Sequence, residues 1–150
     1  MTDPTALQTA MAQAEQLCRA RGVRLTALRR RVLELVISTD TPQGAYAILD
    51  HLRLQDGRAG APPTVYRALD FLLEQGLIHR LASCNVFIGC CQPTAHHSGQ
   101  FLICRSCGKV AELDSQEVEK LIRKQAQKAG FRVESQMVEI AGYCQQCQQQ

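Results

Sequence analysis

Two short cysteine pairs, Cys104-Arg105-Ser106-Cys107 and Cys144-Gln145-Gln146-Cys147, constrain this chain more than any other feature in it. Thiolates separated by two residues on a tight turn can both reach one ion. Four of them close a tetrahedral zinc site that leaves no open position for water or substrate, so such a site folds a domain and does no chemistry. Between the inner cysteines lie 36 residues, more than a plain zinc ribbon holds, so an inserted element is expected there. Two disulfides would suit an oxidising compartment. Residues 1–20, however, show neither a basic start nor an apolar run, no secretory signal is visible, and the chain reads as cytoplasmic. A thioredoxin-like use of one pair leaves the other unexplained, and Gly108 suits a zinc-knuckle turn.

Size and charge narrow the field less. A length of 150 residues with 45% apolar content supports one domain or two small ones, and no run approaches a membrane span. The net charge of +3 is too mild to argue for nucleic acid by itself. Its distribution says more: all ten Lys and Arg residues between 1 and 82 are arginines, Arg19, Arg21, Arg24, Arg29, Arg30, Arg31, Arg53, Arg58, Arg67 and Arg80. Arginine suits phosphate forks and guanine edges, although a merely solvated surface shows the same bias.

Periodicity orders the first half. Leu7, Ala10, Met11, Ala14, Leu17 and Cys18 recur at helical spacing and predict a first helix ending before Gly22, with Cys18 in the core. Thr26 is placed to cap a second helix carrying Leu28, Val32, Leu33 and Val36, and Ala45, Ile48, Leu49 and Leu52 mark a short third one. After a loop over residues 55–63, Pro62-Pro63 opens a fourth helix from Thr64 to Gln75, stopped by Gly76. Val65, Leu69, Leu72 and Leu73 form its inner stripe and leave Thr64, Tyr66, Arg67 and Asp70 off it, where a recognition helix keeps its reading residues. Tyr66 could instead fill the core. Leu77-Ile78-His79-Arg80-Leu81, a Ser83-Cys84-Asn85 turn and Val86-Phe87-Ile88 read as a β-hairpin. Helix, turn, helix, hairpin is the order of a winged helix.

Beyond about residue 90 the pattern changes. Phe101-Leu102-Ile103 and Val110-Ala111-Glu112-Leu113 read as strands around the first cysteine pair, Ser115 caps a helix to Ala129, and Phe131 to Ala141 alternates as a last strand. The fold class is therefore α+β: a winged-helix domain, then a small α/β domain stapled by zinc.

The remaining metal-capable residues fall near the join. They are His79 on the hairpin, Cys90 just beyond it, His97 before Phe101, and Glu112 five residues after Cys107. Imidazole, thiolate and carboxylate together suit tetrahedral zinc and disfavour magnesium, calcium or manganese. Cys91 and His96 are adjacent alternatives that spacing does not separate from Cys90 and His97.

Arg24-Leu25-Thr26 with Arg29, then Pro63-Thr64-Val65-Tyr66-Arg67-Ala68-Leu69-Asp70-Phe71-Leu72 with Gly76 and His79, then the two cysteine pairs, give a specific likeness. The chain resembles the ferric uptake regulator family over nearly its whole length and, within it, the zinc-sensing branch. The resemblance implies a winged-helix DNA-binding domain over 1–88, a hinge at about 82–92, and a dimerisation domain over 92–150. It implies two Zn²⁺ per subunit: a structural ion on Cys104, Cys107, Cys144 and Cys147, and a regulatory ion on His79, Cys90, His97 and Glu112. His97 is preferred to His96 because it stands seven residues before Cys104, as in the zinc branch. The implied partner is double-stranded DNA, a palindromic operator bound by a homodimer that represses zinc-uptake genes.

On this reading Thr64, Tyr66 and Arg67 face bases, and Arg29 and Arg80 face phosphates. Asp50 and Arg53 are placed to pair between two dimers on one operator, although surface pairs are common and mostly inert. No membrane and no small-molecule substrate are implied, and no nucleophile-and-base motif of an enzyme stands out. Three departures are notable. Ala27 replaces a proline common after the threonine, the histidine-rich stretch of iron sensors is reduced to His96-His97, and Cys90 supplies a thiolate that iron sensors usually lack. The last two favour zinc over iron. The alternatives are a sensor of another metal or of peroxide, the latter through Cys84, Cys90 or Cys91, and a zinc-stapled module that binds protein.

Overall fold

The computed structural model describes residues 4–39, 41–57, 61–90, 93 and 98–148. It is α+β and divides into two compact units, Met1–Ala95 and His96–Gln150. The first unit is a winged helix. Helix α1, Pro4–Ala20, buries Met11, Ala14 and Cys18, as the spacing predicts, and α2, Ala27–Ile37, buries Val32, Leu33, Leu35 and Val36. Thr26 caps α2: its hydroxyl accepts the Arg29 amide at 3.4 Å. A third helix, α3, spans Ala45–Asp56, and α4 spans Pro62–Glu74. Helix α4 starts two residues earlier than the sequence reading placed it, because a proline at the first helical position forgoes an amide that would have no intrahelical partner.

The helices enclose one core in which Leu33, Ile48, Leu52, Leu69, Leu72 and Ile78 are fully buried. Strands β1, Ile78–Leu81, and β2, Val86–Gly89, pair antiparallel with Leu81 opposite Val86, and Asn85 takes the left-handed turn conformation at φ 52°. Gln43 adds a single bridge to Phe87, whose amide donates to the Gln43 carbonyl at 2.9 Å. This ties the wing to the segment before α3.

The second unit is a three-stranded sheet in the order β4-β3-β5, with one helix. Strand β3, Gly99–Cys104, pairs antiparallel with β4, Val110–Glu112, and parallel with β5, Met137–Gly142. Helix α5, Gln116–Lys128, makes the crossover between β4 and β5, capped by Ser115 whose hydroxyl accepts the Val118 amide at 3.4 Å. The last strand is shorter than the alternation over Phe131–Ala141 predicts. Residues 131–136 are irregular, because the chain must first leave α5 through Gly130, at φ 72°, before it can run alongside β3. Among the described residues of this unit, Phe101 and Cys104 are the buried apolar side chains, with Ser98 and Gln100 as buried polar ones. No helix among the described residues is long and apolar enough to cross a membrane.

Candidate metal centre and nucleic-acid face

Three elements bring the four cysteines together. Cys104 ends β3, Cys107 lies on the turn toward β4, and Cys144 and Cys147 lie on the turn that follows β5. Because β3 and β5 run parallel, with Cys104 opposite Gly142, both turns leave the sheet at the same end. Backbone bonds fix them: Cys104 N to Lys109 O at 2.9 Å, Gly108 N to Cys104 O at 3.0 Å, Arg105 N to Gly142 O at 2.9 Å, and Cys147 N to Cys144 O at 2.9 Å. Gly108 sits at φ 71°, where a side chain would be strained, and this lets the first turn fold back within one residue of Cys107.

All four Sγ atoms lie within 4.8 Å of one another. The Cys107 and Cys144 sulfurs are 3.8 Å apart, close to the edge of a tetrahedron built on Zn–S bonds of about 2.3 Å. The donor set fits one zinc ion. Its electrostatics are prepared for thiolates. Amide N–H groups of Cys107, then of Cys144 and Ser106, donate to the Cys104 sulfur and lower its pKa to about 6. At Cys147 the Ser106 hydroxyl pulls the thiol down, but the Cys144 sulfur, burial, and the Cys104 and Cys107 sulfurs push it up to about 11. The surroundings thus favour a thiolate at Cys104 and disfavour one at Cys147.

In the first unit His79 is half-buried on β1 opposite Ile88, and Cys90, also half-buried, follows β2 with its amide bonded to Leu77 O at 3.0 Å. In the second, Glu112 ends β4 opposite Phe101 and is half-buried. His97 and the adjacent alternatives His96 and Cys91 lie outside the described residues.

Helix α4 turns Val65, Ala68, Leu69 and Leu72 inward and Thr64, Tyr66, Arg67 and Asp70 outward. Tyr66 is 43% exposed, which excludes the reading that it fills the core. On the wing, Arg80 donates through Nε and Nη2 to Asn85 Oδ1 at 3.1 and 2.8 Å, so its guanidinium is held beside the turn. Arg29 behaves differently. Its Nη1 donates to Arg24 O at 2.7 Å and its guanidinium stacks 3.7 Å over the Phe71 ring, which locks α2 to α4. Arg30 pairs with Glu15, and Arg53 lies 3.8 Å from Asp50 on the exposed side of α3. Sequence reasoning missed the inward turn of Arg29; its i, i+5 relation to Arg24 crosses a helix start and carries no periodic signal. It also missed a polar cluster of the buried Ser98 and Gln100 with the half-buried Ser115.

A model of the ferric uptake regulator family matches residues 20–141. The zinc uptake regulation protein of Escherichia coli (strain K12) is 43% identical over 148 residues, covering 97% of this chain and 85% of that protein. Two solved structures share 40% identity over 95% of this chain. One is a zinc uptake regulator complexed with zinc and DNA, at a TM-score of 0.88 over 95% of that chain. The other is holo XcZur, at 0.86 over 99% of that chain.

Proposed function

The chain belongs to the ferric uptake regulator family, and from that premise we propose that it is a zinc-responsive DNA-binding transcriptional regulator. The observation that carries this reading is the outward face of α4, where Thr64, Tyr66 and Arg67 stand clear of the core at the N-terminal end of the second helix of a helix-turn-helix. Tyr66 packs on a thymine methyl, Arg67 pairs with a guanine edge, and Arg80 meets a phosphate. Arg29 orders the reading helix from behind through Phe71.

Each subunit holds two zinc ions: a structural one on Cys104, Cys107, Cys144 and Cys147, and a regulatory one on His79, Cys90, His97 and Glu112. When bound, zinc supplies a fixed tetrahedral set of bonds among these side chains. The regulatory ligands come from both units, so an arrangement that brings them together binds metal better than one that does not. Only this differential affinity shifts the equilibrium. A coupling of about 3 kcal/mol tightens DNA binding by roughly two orders of magnitude. The thiolate of Cys90 is the donor that favours zinc over iron.

The regulator acts as a homodimer on a palindromic operator in the cytoplasm, represses zinc-uptake genes and catalyses no reaction. The place of β5 at the edge of the sheet and the exposed Leu102, Leu121, Phe131, Met137, Ile140 and Tyr143 support self-association. Two dimers share an operator through Asp50 and Arg53, flanked on α3 by the exposed Tyr46 and Leu54.

The test is selection of genomic DNA fragments by the purified protein in buffered free zinc, in buffered iron, and with a chelator that strips only the exchangeable site. Enrichment of one palindrome under zinc alone is expected. Equal enrichment under iron would move the assignment to an iron sensor, and no enrichment under any metal would overturn DNA binding.

A further inference from the structure

Gln100 lies on β3 with 1% of its surface exposed. Its Nε2 donates to Ser98 Oγ at 3.0 Å and to the Ser115 carbonyl at 2.9 Å, while the backbone carbonyl of Gln100 accepts the Leu113 amide at 2.7 Å, a bond that any residue there would make. A backbone carbonyl can only accept, so the amide orientation is fixed with nitrogen toward Ser115. Its Oε1 is then buried with no hydrogen-bond partner among the described residues. A position chosen for packing alone would be filled more stably by an apolar side chain of that volume.

The bonds of Gln100 converge on one stretch of chain. Leu113 and Ser115 are the first and third residues after Glu112; the backbone of Gln100 holds Leu113, and its side chain holds Ser115. Ser115 is held again from the other side as the cap of α5. Glu112 lies opposite Phe101, the neighbour of Gln100 on β3. The third contact, Ser98, follows His97 in the sequence. One buried amide therefore anchors the link behind Glu112 and the strand start next to His97.

We propose that Gln100 is a positioning residue of the regulatory zinc site, holding Glu112 in place through the 113–115 link and so setting the affinity for exchangeable zinc. The proposal rests on the reading that Glu112 is a ligand. A carboxylate held by its surroundings loses less freedom when it coordinates, and loss of such supporting contacts typically weakens metal binding 10–100-fold.

The experiment uses the full-length protein with its four-cysteine zinc in place and titrates the exchangeable zinc against a chromophoric chelator. Gln100→Met keeps the volume and removes the side-chain hydrogen bonds. Gln100→Asn keeps a buried amide but falls one methylene short of the Ser115 carbonyl. Both are expected to weaken exchangeable zinc about 10-fold or more, with an unchanged content of cysteine-bound zinc and an unchanged urea midpoint for the first unit. Ser98→Ala, which keeps the side-chain bond from Gln100 to the Ser115 carbonyl, is expected to weaken it much less. Wild-type affinity in a folded Gln100→Met or Gln100→Asn protein would overturn the proposal, as would a loss that only tracks lost cysteine-bound zinc. The Asn variant decides the matter should the Met variant not fold. Cys90→Ser separates the two levels. If the wild type shows no exchangeable zinc sensitive to that substitution, the sensor reading fails; if it does and the Gln100 variants match wild type, only the role of Gln100 fails.

Discussion

Replacing Cys144 by serine tests whether zinc or apolar burial folds the second unit. The side chain at issue stands 3.8 Å from Cys107 Sγ, while its backbone amide, which bonds Cys104 Sγ at 3.4 Å, survives the change. Structural zinc contributes about 10–16 kcal/mol of apparent binding free energy to small domains near pH 7, so one thiolate in four carries roughly 3–4 kcal/mol. That corresponds to metal binding weakened by about 10²–10³-fold. The competing apolar term is small. Phe101 is the fully buried apolar side chain among the unit's described residues, and its burial stabilises by up to about 3 kcal/mol. One thiolate therefore weighs as much as the whole of that side chain. Under a chelator strength that the wild type withstands, Cys144→Ser should lose one zinc per chain. It should also lose the helical signal of the 13-residue α5, keep that of α1 to α4, and become sensitive to limited proteolysis after residue 98 but not before residue 90. A variant that keeps its zinc at that chelator strength would refute this reasoning. So would one that loses the metal and retains α5 and its protease resistance.

Arg67→Ala should weaken operator binding by about 1–3 kcal/mol and relax preference at one base position, read by competition among single-base operator variants; a uniform loss would mark a phosphate contact instead. Arg29→Ala removes a hydrogen bond and a stacked cation, so the melting point of the winged helix should fall by an amount equivalent to about 1–2 kcal/mol while the salt slope of DNA binding stays put. In Gly99→Ala the new Cβ would stand 2.7 Å from Met137 Sδ and 2.8 Å from Phe101 Cε2. Met137 is half exposed and can yield, but Phe101 cannot, and the urea midpoint of the second unit should drop by about 1–3 kcal/mol equivalent. Zinc binding to the cysteine site should release protons at pH 7, that of Cys147, raised to about 11, among them, whereas Cys104, lowered to about 6, has already given up its own. Affinity should then rise with pH through neutrality and fall more steeply below pH 6, where Cys104 protonates as well; pH-independent affinity by calorimetric competition would contradict this.

The sequence made the helices of the first unit readable because each buries a stripe at helical spacing and has a capping or breaking residue at its ends: Thr26, Pro62, Gly76. The four cysteines were readable for a chemical reason, since few other uses explain two such pairs in one chain. What escaped depended on tertiary context. The alternation over 131–136 looks like strand, yet those residues only carry the chain from the end of α5 to β3, and pairing begins at Met137 opposite Gly99. Arg29 looks like one cation among several until Phe71 is seen beneath it. Gln100 has no motif; its side chain reaches Ser98 and Ser115, and the latter is brought near by the β3–β4 pairing.

Helix α5 has an apolar stripe, Val118, Leu121, Ile122 and Ala126, and none of its residues is buried within the chain. A helix of this length is marginal in water unless something covers that side. If a second copy does so, the firmness of the second unit depends on dilution, and its melting temperature rises with the amount of protein present. A cell that makes less of this regulator would then have fewer copies and also softer ones, each with looser anchoring behind Glu112. The metal level at which the protein responds would drift with its own abundance.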